Sequence, residues 1–329
     1  MRAIVIASFG GPEVLQLRDV PKPVPSRGEV LVRVRATAIN RADIFQRMGA
    51  YPPPADAPQD IPGLEFAGEV EALGEHVAAS GDAAVGDRVA GLAGGGTYAE
   101  YLVVPARTLT KIPDGLSFTD AAALPEAFIT AYDAMVSQAH LAAGEVALVH
   151  AVGSGVGTAA VQIIRAVGAQ SIGTSRTEDK LGRARELGLD HGVLTPDRKF
   201  ADKVLSLTGG RGVDVVLDLV GGAYIAEDLA CIAPRGRIAV VSVAGGALAE
   251  VPLGILMRRR ATIFGTVLRA RPLEEKIAAC RVFTQHLMPL VARGVLKASV
   301  DRILPLAQAA EAHDYVGKDT SFGKVVLEI

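Results

Sequence analysis

A glycine-rich turn is the strongest chemical signal in the sequence. It follows the apolar run EVALVH and places Gly153, Gly155 and Gly157 ahead of an apolar helical segment. Such glycines let the backbone approach a pyrophosphate closely, and the helix that follows offers free N–H groups and the positive end of its dipole. The spacing fits the dinucleotide fingerprint from Gly155 and, less well, from Gly153. The turn predicts a dinucleotide site, with helix–sheet packing alone as the alternative.

The end of the second strand of this region indicates which dinucleotide binds. A carboxylate about 20 residues after the glycines would bind the ribose 2′-OH of NAD. Ser175 stands there instead, followed by Arg176 and, one helical turn later, Lys180. These groups suit a 2′-phosphate, so the sequence predicts NADPH rather than NADH. The alternative is that both cations are solvated and pair with Glu178 or Asp179.

Residues that bind metals or act as nucleophiles are sparse. The two cysteines, Cys231 and Cys280, are far apart, and none of the six histidines forms a closely spaced pair. Neither a disulfide scaffold nor a thiolate metal centre is expected. His150 ends the first strand of this region, where we expect a core or cofactor-adjacent position rather than catalysis.

The elements that position the glycine turn alternate regularly between about residues 120 and 267. Apolar runs separated by single helices predict six strands, at 145–150, 169–175, 191–194, 213–220, 236–243 and 261–267. This is the pattern of a doubly wound α/β fold, whose parallel strands are buried on both faces. We expect a six-stranded parallel dinucleotide-binding domain over 122–267.

The remaining chain has a different pattern. Residues 1–120 contain short β-type runs broken by Pro and Gly, which predict an all-β, barrel-like domain. The segment YPPPADAPQDIPG (51–63) is expected to be an exposed loop because prolines cannot donate to a ladder. The α/β pattern ends near 268, so we expect 268–329 to rejoin 1–121 in one domain.

Composition excludes several classes of protein. The 34 Lys and Arg residues nearly balance the 36 Asp and Glu residues, so no overall field favours nucleic acid or an anionic membrane. No apolar run reaches the roughly 18 residues of a membrane span, and the N-terminus lacks a signal-peptide pattern. The sequence predicts a cytoplasmic protein with no nucleic-acid or membrane partner.

These motifs together resemble a known family. The segments INRADIFQR, PGLEFAGEV, VGDRVAGL, GGGTYAEY, LPEAFITAYDAM, SGVGTAAVQ and GKVVLEI are similar to the zeta-crystallin-like quinone oxidoreductases of the medium-chain dehydrogenase/reductase superfamily. The resemblance covers essentially the whole chain, and extends to the subgroup related to the p53-inducible quinone reductase. It implies a GroES-like β-barrel catalytic domain around a Rossmann domain, and a homodimer.

The superfamily also contains zinc alcohol dehydrogenases, so their ligand positions can be compared with this sequence. By this resemblance, Asn40 stands in place of the first cysteine ligand, Leu64 in place of the histidine and Glu126 at about the third position. An amide, a leucine and a glutamate do not make a zinc site. No metal is expected.

The resemblance implies hydride transfer from NADPH to a quinone. Two alternatives remain open, which are reduction of α,β-unsaturated carbonyls and NADPH binding without turnover, as in crystallin-like or RNA-binding relatives. Tyr51 matches a cofactor-contacting tyrosine and is expected to bond the nicotinamide side or the acceptor oxygen, unless it only packs at the loop. The Asn40 amide is expected to donate to the substrate carbonyl, unless it caps its own turn. Asp43 is expected to be structural, and Glu126 either lines the site or caps its helix.

The resemblance also implies a set of cofactor contacts, which surround the glycine turn, the 2′-phosphate and the nicotinamide. They are Tyr51, Thr130, Ser154, Gly155, Val156, Ser175, Arg176, Lys180, Val243, Ala244, Gly245, Thr266, Val267, Leu268, Phe322 and Lys324. Thr195 stands where some relatives carry a tyrosine or a histidine near the adenine.

Overall fold

The protein is described by a computed structural model that covers residues 1–329. Its strands, in chain order, are β1 (Arg2–Ile6), β2 (Leu15–Asp19), β3 (Glu29–Ala38), β4 (Glu65–Leu73), β5 (Arg88–Leu92), β6 (Tyr101–Pro105), β7 (Leu109–Lys111), β8 (Val146–Val149), β9 (Gln170–Ser175), β10 (His191–Leu194), β11 (Val213–Asp218), β12 (Ile232–Val240), β13 (Thr262–Gly265), β14 (Val300–Pro305) and β15 (Lys324–Glu328).

The α-helices are short and lie mostly after residue 117. They are α1 (Arg41–Arg47), α2 (Val77–Ser80), α3 (Phe118–Ala122), α4 (Pro125–Tyr132), α5 (Gly155–Val167), α6 (Glu178–Glu186), α7 (Ala201–Leu207), α8 (Tyr224–Cys231), α9 (Leu253–Arg259), α10 (Leu273–Val282), α11 (Met288–Ala292) and α12 (Ala309–Gly317). None of them combines the length and apolarity that crossing a bilayer requires.

The chain divides into two compact units. The first unit contains Met1–Ile129 and Leu268–Ile329, and the second contains Thr130–Val267. The two divisions between the units fall inside α4, after Ile129, and between Val267 and Leu268. The domain boundaries predicted from the sequence, 121/122 and 267/268, stay predictions.

The first unit is built on a seven-stranded sheet. Its strand order is β14-β15-β3-β4-β5-β7, and β6 pairs with β3. The last strand of the chain, β15, lies antiparallel to β3, with Val326 opposite Ala38. The sheet has edge strands at β14 and β7, so its pairing does not close on itself as a complete barrel would. A hairpin of β1 and β2 forms a separate small sheet.

The second unit confirms the predicted doubly wound fold. Six parallel strands follow the order β10-β9-β8-β11-β12-β13. The order reverses between β8 and β11, and ligands of such sheets bind beyond the carboxyl ends of the strands at this point. Strand β11 is buried along its whole length, as expected for the centre of a sheet covered on both faces.

Candidate active site

The glycine turn in the second unit requires glycine for a steric reason. It joins β8 to α5, and Ser154 caps the helix by accepting a hydrogen bond from the Gly157 N–H at 3.1 Å. A Cβ on Gly157 would lie 2.6 Å from the Ala151 carbonyl oxygen, which is closer than real contacts allow. The helix start is therefore held directly against the end of the strand.

The N-terminus of α5 suits an anion. The helix has 13 residues and no acidic side chain in its first turn. Its free N–H groups and its dipole therefore face no competing carboxylate within that turn. This is the chemistry of a pyrophosphate site, which is what the glycine turn predicted.

The Lys180 side chain packs against the glycine turn. The aliphatic stem of Lys180 covers Gly153, where an added Cβ would meet the Lys180 Cδ at 2.8 Å. Arg176 is exposed at the end of β9, and Ser175 is buried there, with its Oγ accepting the Thr177 N–H at 3.2 Å. One cationic side chain, Lys180, therefore lies against the turn that precedes α5.

The other predicted cofactor residues are divided between the units. Ala244 and Gly245 lie in the turn after β12, where the Gly245 N–H donates to the Val220 carbonyl at 2.7 Å. Thr266 follows β13 and accepts a hydrogen bond from Gln138 at 2.9 Å. The rest of this group in the second unit are Thr130, Ser154, Gly155, Val156, Val243 and Val267. The first unit holds Tyr51, Leu268, Phe322 and Lys324, and the last three are buried.

A buried polar cluster lies beneath the glycine turn. His150, which follows β8, bonds Asp228 of α8 at 2.7 Å through Nε2 and the Thr174 hydroxyl at 2.8 Å through Nδ1. Asp218 ends β11, and its Oδ1 accepts the N–H groups of the next turn. The ligand atoms of His150, Asp218 and Asp228 lie within 4.8 Å of one another. We call these three residues and Thr174 the His150 cluster.

The His150 cluster is short of hydrogen-bond donors. The Oδ2 atoms of Asp218 and Asp228 are buried without a partner. Burial and the neighbouring Asp218 raise the pKa of Asp228 to about 6, although His150 opposes the shift. Sequence reasoning placed His150 in the core but missed both carboxylates; the one available signal was an aspartate at the end of an apolar strand.

The first unit contains a second buried cluster, built around an ion pair. The Lys324 ammonium of β15 lies 2.6 Å from Glu65 Oε1, and the two side chains are 4% and 0% exposed. The same ammonium donates to the Asn40 Oδ1 at 2.6 Å and to the Ile39 carbonyl at 3.0 Å. The Asn40 amide in turn donates to Glu65 Oε1 at 2.9 Å. We call Asn40, Glu65 and Lys324 the Lys324 cluster.

Two further carboxyl groups adjoin the Lys324 cluster. The backbone N–H of Glu126 donates to Glu65 Oε2 at 2.8 Å, which fixes the first turn of α4. Burial and the Glu65 charge raise the pKa of the Glu126 carboxyl to about 8. Asp43 accepts the Asn40 backbone N–H at 2.8 Å, and burial raises its pKa to about 6. Its bonds to Gly63 and Asn40 match the structural role that the sequence predicts.

Tyr51 is held by a buried arginine. The Arg269 guanidinium lies 5.3 Å from the centre of the Tyr51 ring and donates to the Tyr51 carbonyl. Its other bonds reach the Gly94 carbonyl at 2.7 Å and Gln46 at 2.5 Å. The half-buried phenol has a raised pKa, chiefly from burial. Arg269 was not identified from the sequence, because nothing in its neighbours indicates burial.

The Asn40 amide, which the sequence predicts as a donor to substrate, is bonded within the protein. Both N–H groups of its amide have partners, the Ala38 carbonyl at 3.2 Å and Glu65 Oε1 at 2.9 Å. Its backbone N–H donates to the Asp43 carboxylate. A substrate would have to replace one of the amide bonds.

The residues at the expected zinc position do not fit a zinc ion. Leu64 is apolar and buried, and the Lys324 ammonium bonds both Asn40 and Glu65. A metal ion there would meet an existing positive charge and no thiolate or imidazole.

Comparison with known proteins identifies the family. Residues 26–114 match the model "Alcohol dehydrogenase GroES-like domain", and residues 155–282 match the model "Zinc-binding dehydrogenase". A quinone oxidoreductase of Pseudomonas aeruginosa is 36% identical over 99% of both chains. The human quinone oxidoreductase is 33% identical over 99% of this chain and 97% of its own.

Solved structures extend the likeness to the whole fold. A mycobacterial protein determined in complex with NADPH is 31% identical, with a TM-score of 0.89 over 100% of both chains. An NAD-dependent alcohol dehydrogenase is 34% identical, with a TM-score of 0.86 over 100% of both chains. A 2-haloacrylate reductase is 32% identical, with a TM-score of 0.84 over 100% of this chain and 99% of its own. The chain is an oxidoreductase and belongs to the quinone oxidoreductase family of the medium-chain dehydrogenase/reductase superfamily.

Proposed function

We propose that the protein is a zinc-independent reductase that uses NADPH to reduce quinones. The observation that carries the proposal is the ion pair of Lys324 and Glu65 at the expected metal position. Without a Lewis acid, an alcohol is hard to oxidise because nothing lowers the pKa of its hydroxyl. A quinone can be reduced without a Lewis acid, because conjugation spreads the negative charge that develops during reduction and hydrogen-bond donors can stabilise it.

NADPH would be held by the second unit. The N-terminus of α5 would receive the pyrophosphate, and Ser175, Arg176 and Lys180 would surround the 2′-phosphate. When bound, NADPH supplies a hydride. The protein's own contribution is to bind and orient the reactants and to exclude water.

Tyr51 is our candidate for the donor to the acceptor oxygen. Its raised pKa keeps the phenol protonated at neutral pH, so it can donate a hydrogen bond there. Arg269 fixes the loop at Tyr51 through the tyrosine backbone and ring. In our proposal Tyr51 is therefore the contacting residue, and Asn40 supports the site through its bonds to Lys324 and Glu65.

Cofactor choice is tested by comparing two arginines near α6. Arg176→Ala is expected to weaken NADPH binding about tenfold and to leave NADH binding unchanged, because a charge-assisted phosphate contact contributes on the order of 1.5–3 kcal/mol. Arg185→Ala is the control, since Arg185 is exposed on α6 and pairs with Glu178 at 3.1 Å. Equal affinity of the native protein for NADH and NADPH would contradict the proposal.

The acceptor is tested by following NADPH oxidation with a panel of 1,2- and 1,4-quinones and enones, with EDTA present. We expect turnover of quinones that EDTA does not reduce. The likeness to a 2-haloacrylate reductase favours a second candidate, reduction of α,β-unsaturated carbonyls. Faster turnover of enones would select that alternative, and tight NADPH binding without any turnover would select a binding protein.

We also propose that the protein forms a homodimer through the second unit. Strand β13 is an edge of the parallel sheet. Helix α9 has no buried residue, and the apolar side chains of Leu248, Leu253 and Met257 are more than half exposed. An open strand edge beside apolar surface favours a second copy of the chain. Light scattering of Met257→Lys, compared with Lys318→Ala, tests this, and an unchanged dimer would argue against this surface.

A further inference from the structure

Both charged groups of the Lys324 cluster have a full set of hydrogen-bond partners, although they are buried. The three hydrogens of the Lys324 ammonium match three acceptors, which are Glu65, Asn40 and the Ile39 carbonyl. Glu65 receives donors on both oxygens, from Lys324 and Asn40 on Oε1 and from the Glu126 N–H on Oε2. Each partner therefore depends on the other for its orientation.

The cluster joins four separate parts of the first unit. Lys324 begins β15, Glu65 begins β4, Asn40 precedes α1 and Glu126 lies in the first turn of α4. A single ammonium thus fixes the relative positions of two strands and two helix starts. A metal ion performs this task where protein ligands converge on it.

A buried ion pair is a costly way to join elements. Desolvation of two charges commonly offsets their attraction, and apolar residues of the same volume often stabilise a fold more. The sequence nevertheless places lysine and glutamate here among apolar neighbours such as Leu64, Phe66 and Val325. A role beyond stability accounts for this choice.

We propose that Lys324 is a positioning residue whose ammonium stands where zinc-dependent members of the superfamily hold their metal. It supplies the single positive charge that orients Asn40, Glu65 and, through Glu65, the start of α4. The ammonium makes all its bonds within the protein and does not contact the acceptor. The inference deepens the proposed function, since it explains how this site is organised without a metal.

The first test is a double-mutant cycle that needs neither cofactor nor acceptor. Lys324→Met and Glu65→Gln are compared singly and together by thermal unfolding, with Lys318→Ala as the control because Lys318 is an exposed lysine. We expect each single variant to unfold at a lower temperature and the double variant to recover part of the loss. Additive effects would overturn the proposal, because they would mean that neither charge depends on the other.

The second test is chemical rescue of Lys324→Ala. Propylammonium chloride is expected to raise its unfolding temperature in a saturable manner and to restore kcat for NADPH oxidation, while the native protein does not respond. Tetramethylammonium chloride is the ionic control, because it carries the charge but no N–H donor. Equal effects of the two salts on Lys324→Ala would contradict a specific ammonium site.

The Lys324→Met variant distinguishes a positioning role from a purely structural one. Lys324→Met is expected to lower kcat at least tenfold even when assayed well below its unfolding temperature, because its methylene chain keeps the packing but loses the charge. A folded Lys324→Met with native kcat would overturn the proposal. If Lys324→Ala does not fold, the cycle with Glu65→Gln still decides the question. The unfolding measurements remain valid if quinones prove not to be the acceptors, so failure of the two proposals can be distinguished.

Discussion

The Lys324 cluster and the His150 cluster both bury carboxylate groups, but they compensate the buried negative charge in different ways. In the first unit, the Glu65 carboxylate is matched by the Lys324 ammonium and by two further donors. In the second unit, His150 bonds the Asp228 carboxylate and a second carboxylate, Asp218, lies within 4.8 Å, and each carboxylate keeps one buried oxygen without a partner. The first cluster is balanced by a fixed cation, whereas the second can be balanced only by taking up a proton.

This difference predicts how each of the two clusters responds to mutation and to pH. A fixed ion pair is sensitive to loss of either partner, because the remaining charge is then buried alone. A cluster that binds a proton responds to pH instead, because the proton can be gained or lost without any change of sequence.

The largest effect is expected from Glu65→Gln. It removes the only carboxylate bonded to the buried Lys324 ammonium, so we expect the free energy of unfolding to fall by about 3–5 kcal/mol. Urea unfolding at pH 7 measures this loss. Glu69→Gln is the matched control, because Glu69 lies on the same strand in a partly exposed pair with Arg35, where about 0–1 kcal/mol is expected. Equal losses would remove the distinction between a buried and an exposed pair.

His313 is buried in α12, and its Nε2 lies 3.1 Å from the Tyr98 hydroxyl. His313→Gln is expected to make the first unit less sensitive to acid. Burial and the Arg47 charge lower the pKa of His313 to about 3, so the folded protein keeps this imidazole neutral while the unfolded chain protonates near 6.5. Native stability is therefore lost as the pH falls from about 6.5 towards 3. The loss between pH 7 and 5 is about 2 kcal/mol at 1.4 kcal/mol per pH unit. Parallel stability profiles of the native protein and the variant would show that His313 does not contribute.

Asp228→Asn tests a pH dependence of stability that has the opposite sign and lies in the second unit. The pKa of Asp228 is raised to about 6 in the folded protein, from an ordinary value of 3.8. The folded state therefore binds this proton more tightly, and the stability from this group is lost as the pH rises from about 4 to 6. The asparagine variant should lose this dependence, a difference of about 1–2 kcal/mol. Urea unfolding at pH 4.5 and 7 measures it, and an unchanged slope would mean that the proton lies elsewhere in the cluster.

The smallest effect is expected when the two cysteines are exposed to an alkylating reagent. One cysteine is buried in each unit. Burial raises the pKa of Cys280 to about 12 and raises that of Cys231 as well. Both thiols should stay protonated at pH 8, and iodoacetamide should modify neither in the folded protein. Mass spectrometry measures the modification, and both should react after unfolding in urea. Fast labelling of either thiol in the folded state would contradict the buried positions.

Much of the second unit could be predicted from the sequence. The six strands were predicted close to their observed positions, because each is a continuous apolar run bounded by turns. The glycine turn also occupies its predicted place, and Gly157 meets the Ala151 carbonyl closely enough to exclude a side chain. These features depend on local spacing, which a single sequence records.

The first unit was harder to predict in detail. Its β-rich character and the return of the C-terminal segment are visible in the sequence, and β15 does pair with β3. The sequence indicated that Asn40 and Leu64 do not form a zinc site, but not what replaces the metal. Lys324 was expected to contact the cofactor, and that role stays a prediction beside the bonds it makes to Glu65 and Asn40.

The sequence by itself determined the fold class, the dinucleotide turn and the cations near its second strand, since each follows from residues close together in the chain. Only the tertiary structure decided which charges share a buried site. The Lys324 ammonium meets Glu65 because β15 and β4 both pair with β3, and His150 meets Asp228 because α8 packs in the core beside β11. Partners of this kind are selected by the path of the backbone, so no local pattern in either segment could have named them.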